Sequence, residues 1–298
     1  MHIRQTTIDD VPAIDEIWGA AHAWHTITVE AQRTLFTSDP PEARQLRLCA
    51  EVGDRLVGSG VAMLNLYAGD NTTAIVSLLV APDTRGGGTG SALYERLEVH
   101  LRRVGATRIQ AEVDDEPVSL SFAGARGFEL GATDLYVVVD PRDLPPMPDS
   151  RSGVAIRTVR ESGPEPIYQV INTAAKDEPG DVPFEGIPYE DWIAQYWPSI
   201  DHDLSMVAFV DGAPAASTAL RARYELGRAS SAGSDCLPEF RGRGLVKLLK
   251  SRSLRAAADR GITAAYTSND ETNAPMRAIN AWLGYRPVGS TRSALKQL

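Results

Sequence analysis

The sequence has little of what builds several large classes of protein. Only two of its 298 residues are cysteine, Cys49 and Cys236, each inside an apolar strand-like run. That excludes a disulfide framework and fits buried free thiols in a reducing cytoplasm. No run of eighteen apolar residues occurs, so no membrane span is expected. Met1 to Asp10 is charged and polar, without the apolar stretch of a secretory signal. Basic charge is short as well: 30 Lys and Arg stand against 39 Asp and Glu, a formal net charge of -9. A nucleic-acid binder needs a basic face to neutralise phosphates, so nucleic acid is not an expected partner. An acidic field is compatible with a cationic small molecule and otherwise signals solubility. What is present, 43% hydrophobic and 23% charged residues, is the mix of a globular protein long enough for two domains.

The chain repeats itself. Ile3-Arg4-Gln5-Thr6 and the run Ile14, Ile17, Trp18, Ala21 recur as Ile156-Arg157-Thr158-Val159 and Ile167, Val170, Ile171, Ala174. Both runs place apolar residues on one helical stripe. The hairpin Cys49 to Met63, turning at Gly53-Asp54, matches Val207 to Leu220, turning at Asp211-Gly212. Arg85 pairs with Arg241, Gly105-Ala106-Thr107 with Gly261-Ile262-Thr263, and Gly127-Phe128 with Gly284-Tyr285, at offsets of 156 to 157 residues. Such small drift means duplication. Between the copies, Pro141, Pro145, Pro146 and Pro148 cannot continue a helix or a central strand. The expected domains are therefore 1–140 and 154–298, joined by a proline-rich linker at 141–153. Each copy reads strand, helix, variable region, antiparallel hairpin, strand, glycine loop, helix, strand, short helix, strand. This predicts an α+β fold, each copy a mostly antiparallel sheet flanked by helices.

The glycine loop carries the chemistry. Arg85-Gly86-Gly87-Gly88-Thr89-Gly90 stands directly between a strand and a helix. Glycine permits positive φ and close approach of a ligand, and amides at a helix start converge on an anion. A tight turn with no ligand is the alternative for one such loop; a second at the equivalent place, Arg241-Gly242-Arg243-Gly244-Leu245-Val246, weakens it. Neither loop ends in Gly-Lys-Ser/Thr, and neither follows the first strand of its copy, which sets aside triphosphatase and dinucleotide loops.

With Val80 and Pro82 before it, the first loop resembles the acyl-CoA signature of the GNAT superfamily, Arg/Gln-x-x-Gly-x-Gly/Ala, in every position. The second, after Leu237-Pro238, fits except that Val246 replaces the last small residue. The run from Thr267 through Asn269, Asn273, Met276 and Asn280 to Gly284-Tyr285 resembles the C-terminal half of tandem GNAT proteins related to mycothiol synthase. The resemblance implies an acetyl-CoA or other acyl-CoA co-substrate. Its pyrophosphate would lie on the amides of Arg85, Gly86, Gly87, Gly88, Thr89 and Gly90, and of Arg241, Gly242, Arg243, Gly244, Leu245 and Val246. Its pantetheine would lie along Leu79-Val80 and Cys236-Leu237. Asn273 matches the family's pantetheine-binding asparagine, where the first copy has Glu116.

Acyl transfer to an amine needs a neutral amine, donors for an oxyanion and a leaving thiolate that is stabilised or protonated. The family's usual acid, a tyrosine seven residues after the asparagine, is replaced by Ala123 and Asn280. Tyr285 and Tyr266 lie in the right segment, although Tyr285 also reads as core packing. Asp235 is the candidate base, unless strand alternation turns it away from the cleft. Cys236 reads as a small buried residue before it reads as a nucleophile. Acceptor recognition is expected after the first helix of a copy. In the second copy that region offers Asp177, Glu178, Asp181, Glu185, Trp192, Tyr196 and Trp197, suited to a cationic amine or else to an amphipathic helix on the core. His22-Ala23-Trp24-His25 has too short a spacing and too few partners to argue for a metal, and none is expected. The sequence thus favours an acyl-CoA-dependent N-acetyltransferase acting by direct attack of a small, cationic amine in a ternary complex, with the C-terminal copy catalytic. The alternatives are an acyl-CoA sensor without turnover, or acetylation of a protein amine. The sequence is silent on oligomeric state.

Overall fold

The computed structural model describes residues 1–149, 152–177, 182 and 184–298. The N-terminal half runs β1 (His2–Gln5), α1 (Val11–Ala21), α2 (Val29–Thr37), β2 (Leu46–Val52), β3 (Arg55–Leu64), β4 (Thr73–Val80), α3 (Thr89–Arg103), β5 (Arg108–Asp114), α4 (Pro117–Gly124) and β6 (Glu129–Val139). The C-terminal half runs β7 (Val154–Thr158), α5 (Val159–Ser162), α6 (Pro164–Ala174), α7 (Tyr189–Gln195), β8 (Met206–Val210), β9 (Ala213–Arg223), β10 (Arg228–Cys236), α8 (Leu245–Asp259), β11 (Ala264–Asp270), α9 (Ala274–Leu283) and β12 (Arg286–Gln297). The element order repeats as the sequence offsets require. Both hairpin turns fall where expected; Asp211 and Gly212 each take positive φ, the pair of left-handed residues a tight two-residue hairpin needs.

The halves share one 12-stranded sheet, ordered β1-β2-β3-β4-β5-β12-β6-β11-β10-β9-β8-β7. Each half lends its last strand to the other. β12 lies antiparallel between β5 and β6, while β6 lies antiparallel between β12 and β11. The exchange removes an edge from each half, and an unpaired edge is a row of unsatisfied amides and carbonyls. Offsets along the chain cannot show it, because they are the same whether a strand returns to its own half or crosses.

α3 explains how the first half is held. Leu93, Leu97 and Leu101 recur at i, i+4, i+8 and are fully buried against β2, β3 and β4. Each contributes on the order of 1.5–3 kcal/mol. The C-terminal strand is fastened to the flank of this helix: Lys296 Nζ donates to Glu98 Oε2 at 2.7 Å and lies 3.2 Å from the hydroxyl of the buried Tyr94. Burial raises the Glu98 carboxyl, but hydrogen bonds from Lys296, Arg102 and Tyr94 outweigh it and bring the pKa down to about 2 from 4.5. A depressed carboxyl pKa stabilises fully above its unfolded value and progressively less below it. Glu98→Gln is therefore expected to lower stability by about 1–2 kcal/mol at neutral pH. The gap from the parent should narrow as pH falls below 4.5 and through about 2, which urea unfolding across that range measures.

Candidate acyl-transfer site

β4 and β5 run parallel and pair from Thr73↔Arg108 to Val76↔Ala111, then diverge. Ser77 to Val80 and Glu112 to Asp114 thus border an open wedge. The chain leaves β4 through Ala81-Pro82 and enters the glycine loop. Gly86 and Gly88 both sit at φ 83, where a side chain is strained, and no atom lies within 4 Å of the Cβ either would carry. Gly88 is also the N-cap of α3. The first amides of that helix have no partner within it, and together with the helix dipole they favour an anion. Arg85 borders the loop, its Nε donating to the Val80 carbonyl at 3.3 Å and its guanidinium approaching Glu116 at 3.4 Å. At Gly90 a Cβ would press to 3.2 Å on the Phe122 ring of α4. These features open onto one cleft of about 700 Å³, bordered by β4 from Ile75 to Val80, by the loop, by β5 from Ala111 to Asp114 and by Phe122. A diphosphate on the loop and an extended thioester arm along the wedge fit these residues; Leu79 is buried against Ile17 and Ala81, so its backbone and not its side chain is available to the arm.

The far end of the cleft is aromatic and acidic. Trp24 stacks on Tyr136 with centroids 4.4 Å apart, and the His22 ring lies between Trp24 at 5.0 Å and Trp18 at 5.4 Å. His22 Nε2 stands 2.9 Å from Asp114 Oδ1. A carboxylate only accepts, so an ionised Asp114 places the proton on Nε2. Two residues earlier on the same face, Glu112 accepts from the Tyr136 hydroxyl at 3.0 Å and from Thr291 Oγ1 at 2.6 Å. Burial and the Glu112 charge push the Tyr136 phenol far up, so it stays protonated. Thr291 comes from β12, hence the C-terminal half completes this wall. Sequence reading missed His22, Asp114 and Tyr136. The alternation Glu112-x-Asp114 at the end of a strand was the available signal, since it puts two carboxylates on one face.

A smaller recess of about 270 Å³ shares Trp18, His22, Trp24 and Tyr136 with the cleft and continues toward β9, β10 and β11. Behind it, Asp15 of α1 is buried and receives His25 Nε2 at 2.8 Å, Gln32 at 2.6 Å and Arg223 of β9 at 2.8 Å. The two histidines that offered no metal pattern in sequence each have a carboxylate partner instead.

The C-terminal copy repeats the frame, with an apolar cluster beside its helix start. β10 and β11 pair only from Arg228↔Ala264 to Ser230↔Tyr266 before diverging. Gly242 and Gly244 take φ 75 and 74, and Arg241 Nε donates to the Cys236 carbonyl at 3.2 Å, as Arg85 does to Val80. Val246, however, stands where Gly90 stands, and Leu245, Val246, Cys236, Met276 and Ile279 pack in one apolar cluster. Leu237 is buried. Arg243 lies against the Phe240 ring and reaches the Glu239 carbonyl. Asn273 caps α9, its side-chain oxygen accepting from the Met276 amide at 3.2 Å.

The expected catalytic pair is not brought to the described clefts. Asp235 is buried, and its charge acts on Lys250, a lysine of α8 that burial lowers to about 8. Tyr285 packs with Val139, Leu254 and Leu283, its ring 5.5 Å from Lys250 Nζ. The physical reason is packing: both side chains serve the interior of the second half, and neither borders the cleft or its recess. The Cys236 thiol is pushed up by burial and stays protonated, as befits a small packed residue. Trp192, 2% exposed, packs against Tyr168 and Trp197 and is core. Asp177 pairs with Arg241 at 2.9 Å, while Glu178 and Asp181 lie outside the described residues. The cleft of about 700 Å³ described above belongs to the N-terminal half.

Two wedges, each headed by a left-handed glycine loop and a helix start, define a tandem α+β protein. The profile of the acetyltransferase (GNAT) family matches residues 11–128 and again 167–285, and the chain belongs to that family. No curated protein matches the sequence. Among solved structures, a tandem GNAT protein from the clavulanic acid biosynthesis pathway has a TM-score of 0.71 at 19% identity, covering 99% of this chain and 98% of that one. A GCN5-related N-acetyltransferase from Sphaerobacter thermophilus has a TM-score of 0.70 at 17% identity, with coverage of 99% and 95%. At these identities the likeness is one of fold, and it extends over both halves. Among the described residues no helix is long and apolar enough to cross a membrane.

Proposed function

We propose that the N-terminal half transfers an acyl group, acetyl in the simplest case, from acyl-CoA to a small amine, and that Asp114 takes the amine proton. The observation that carries this is the pairing of Asp114 with His22 at the mouth of the wedge. One carboxylate oxygen is fixed by the imidazole at 2.9 Å, and among the described residues no donor reaches the other. The Asp114 side chain is 21% exposed and borders the cleft. Glu112 and Asp114 attract an ammonium, the indoles of Trp18 and Trp24 and the Tyr136 ring flank it, and Asp114 Oδ2 holds its proton as it becomes a nucleophile. His22 acts through Asp114 and is a positioning residue. Bound acyl-CoA would supply an activated carbonyl at the wedge. Backbone amides of β4 beyond Val76, freed of β5, are available to polarise that carbonyl. Tyr136 is a protonated phenol in the same wall and can take the place of the tyrosine missing at Ala123.

The two halves are told apart by matched substitutions. At Gly88 a Cβ would have no protein atom within 4 Å, so the cost of a glutamate there falls on the loop conformation and on the phosphate it would repel. Gly88→Glu is expected to raise the KM for acetyl-CoA by roughly 10-fold to 30-fold, and Gly244→Glu to leave it within about 2-fold. Thiol release over a panel of primary amines reads both. The reverse order would move the reaction to the C-terminal half, and coenzyme binding with no turnover on any amine would favour a sensor.

A further inference from the structure

The recess that continues from the amine end of the cleft holds a cation that no carboxylate among the described residues pairs with. Arg221 of β9 borders it. Burial lowers the Arg221 pKa and the Tyr196 phenol acts against that; among the described residues the one hydrogen bond of the Arg221 side chain is from Nε to Ser199 Oγ at 3.3 Å. Among the described residues no carboxylate is paired with it. Arg223, two residues on, shows the ordinary arrangement, with Asp15 and Glu225 both at 2.8 Å. A half-buried guanidinium without an anion is unfavourable, and such groups are ordinarily paired. Around Arg221 the recess offers hydroxyls: Ser230, Ser231, Thr267 and Ser268.

We infer that this recess binds a carboxylate carried by the acceptor, so that the substrate is an amino acid in the broad sense, with its amine at Asp114 and its acid group at Arg221. The inference rests on the acyl-transfer reading of the cleft and adds the class of acceptor. Register sets the span. Arg221 lies opposite Ser230 and Ser230 beside Tyr266 of β11, while Asp114 lies opposite Thr291, Thr291 opposite Asp134 and Asp134 opposite Asp270 of β11, so five strand intervals separate Arg221 from Asp114. At about 4.8 Å per interval this is roughly 24 Å between backbones, and the arginine and aspartate side chains, each with one contact to the ligand, shorten it to about 10 Å between the ligand's two charged groups. An amine and a carboxylate separated by several methylenes match that distance, and an α-amino acid, with both groups on one carbon, does not. A single guanidinium among hydroxyls suits a monoanion; a phosphate ester would call for a second cation.

The test compares ω-aminohexanoate and ω-aminooctanoate with hexylamine, octylamine and an aminoalkyl phosphate of matched length as acceptors, in the full chain and in Arg221→Met and Arg221→Lys. The amino acids are expected to show a KM roughly 10-fold to 100-fold below the alkylamines, and Arg221→Met should erase that difference while leaving the alkylamines unchanged. Arg221→Lys should restore part of it. Removing an unpaired buried charge should leave Tm level or raise it, which separates a ligand-binding arginine from a structural prop. Equal effects of Arg221→Met on acids and alkylamines, or a lowered Tm accompanying the loss, would overturn the inference. Preference for the phosphate would overturn the carboxylate assignment. Release of thiol from acetyl-CoA with none of these amines, despite coenzyme binding, would instead bring down the acyl-transfer reading and the acceptor class with it.

Discussion

Asp114→Asn is expected to lower kcat for amine acylation by about 10²-fold to 10⁴-fold, the span of a positioned general base, while the KM for acetyl-CoA changes little. The substitution keeps the size of the side chain and can keep its hydrogen bond to His22, since either imidazole tautomer offers a match to an amide. What it removes is the ability to hold a proton at Oδ2. Steady-state kinetics on one amine, with single-turnover rates to isolate the chemical step, distinguishes this from lost binding. Asp235→Asn is the control that the buried position of Asp235 recommends: its turnover per folded molecule should match the parent. If Asp114→Asn retains full kcat and Asp235→Asn loses it, the proton acceptor lies in the other half. His22→Phe keeps a ring between the indoles and frees Asp114 from its partner, so a smaller fall in kcat is expected there, with the KM for amine rising as the carboxylate loses its fixed orientation.

The residues in these experiments show what the sequence could and could not disclose. The duplicated frame was legible because its signals are local: apolar stripes, hairpin turns and a glycine loop between strand and helix each span a few residues and recur at a steady offset. Gly88 at φ 83 and Gly244 at φ 74 do what that loop required. The far end of the cleft was not legible, because its contacts join distant segments. His22 meets Asp114 across 92 residues, and Thr26 meets Ser230 across 204. The choice of half turned on one side chain at the helix start. Val246 in place of Gly90 was visible, yet its consequence depends on Met276 and Ile279 arriving from α9 to pack against it. The richer set of asparagines and aromatics in the second copy drew attention to it, and the structure uses Asn273 as a helix cap and Trp192 as core.

The exchange of β6 and β12 gives the second half a purpose that needs no second reaction. Thr291 of β12 donates to Glu112 in the amine wall, Arg221 of β9 faces the recess, and Lys296 ties the final strand to α3. A second half that supplies walls needs no reaction of its own, and the cluster of Val246 and its neighbours stabilises the sheet on which the walls stand.

Asp15→Ala is expected to cost about 3 kcal/mol of stability at neutral pH, toward the lower end for breaking a buried ion pair because Arg223 retains Glu225. Asp15 is 6% exposed on the buried face of α1, and both its oxygens accept from Arg223 at 2.8 Å, across the junction of the halves. Burial raises its carboxyl, and hydrogen bonds from Arg223, His25 and Gln32 more than reverse that, leaving its pKa below the ordinary 3.8. Burial also lowers His25 beneath 6.5, against the pull of Asp15. Both shifts make the unfolded chain bind protons before the folded one, so both contributions shrink on acidification: the imidazole's as pH falls below 6.5, the carboxylate's as it falls below 3.8. The variant should accordingly show a flatter dependence of stability on pH than the parent, measured as urea midpoints from neutral pH downward. Joint replacement, Asp15→Ala with Arg223→Met, should recover part of the loss, because a pair removed together leaves no charge stranded. Should the single substitution cost less than about 1 kcal/mol, the junction is held by the shared sheet alone.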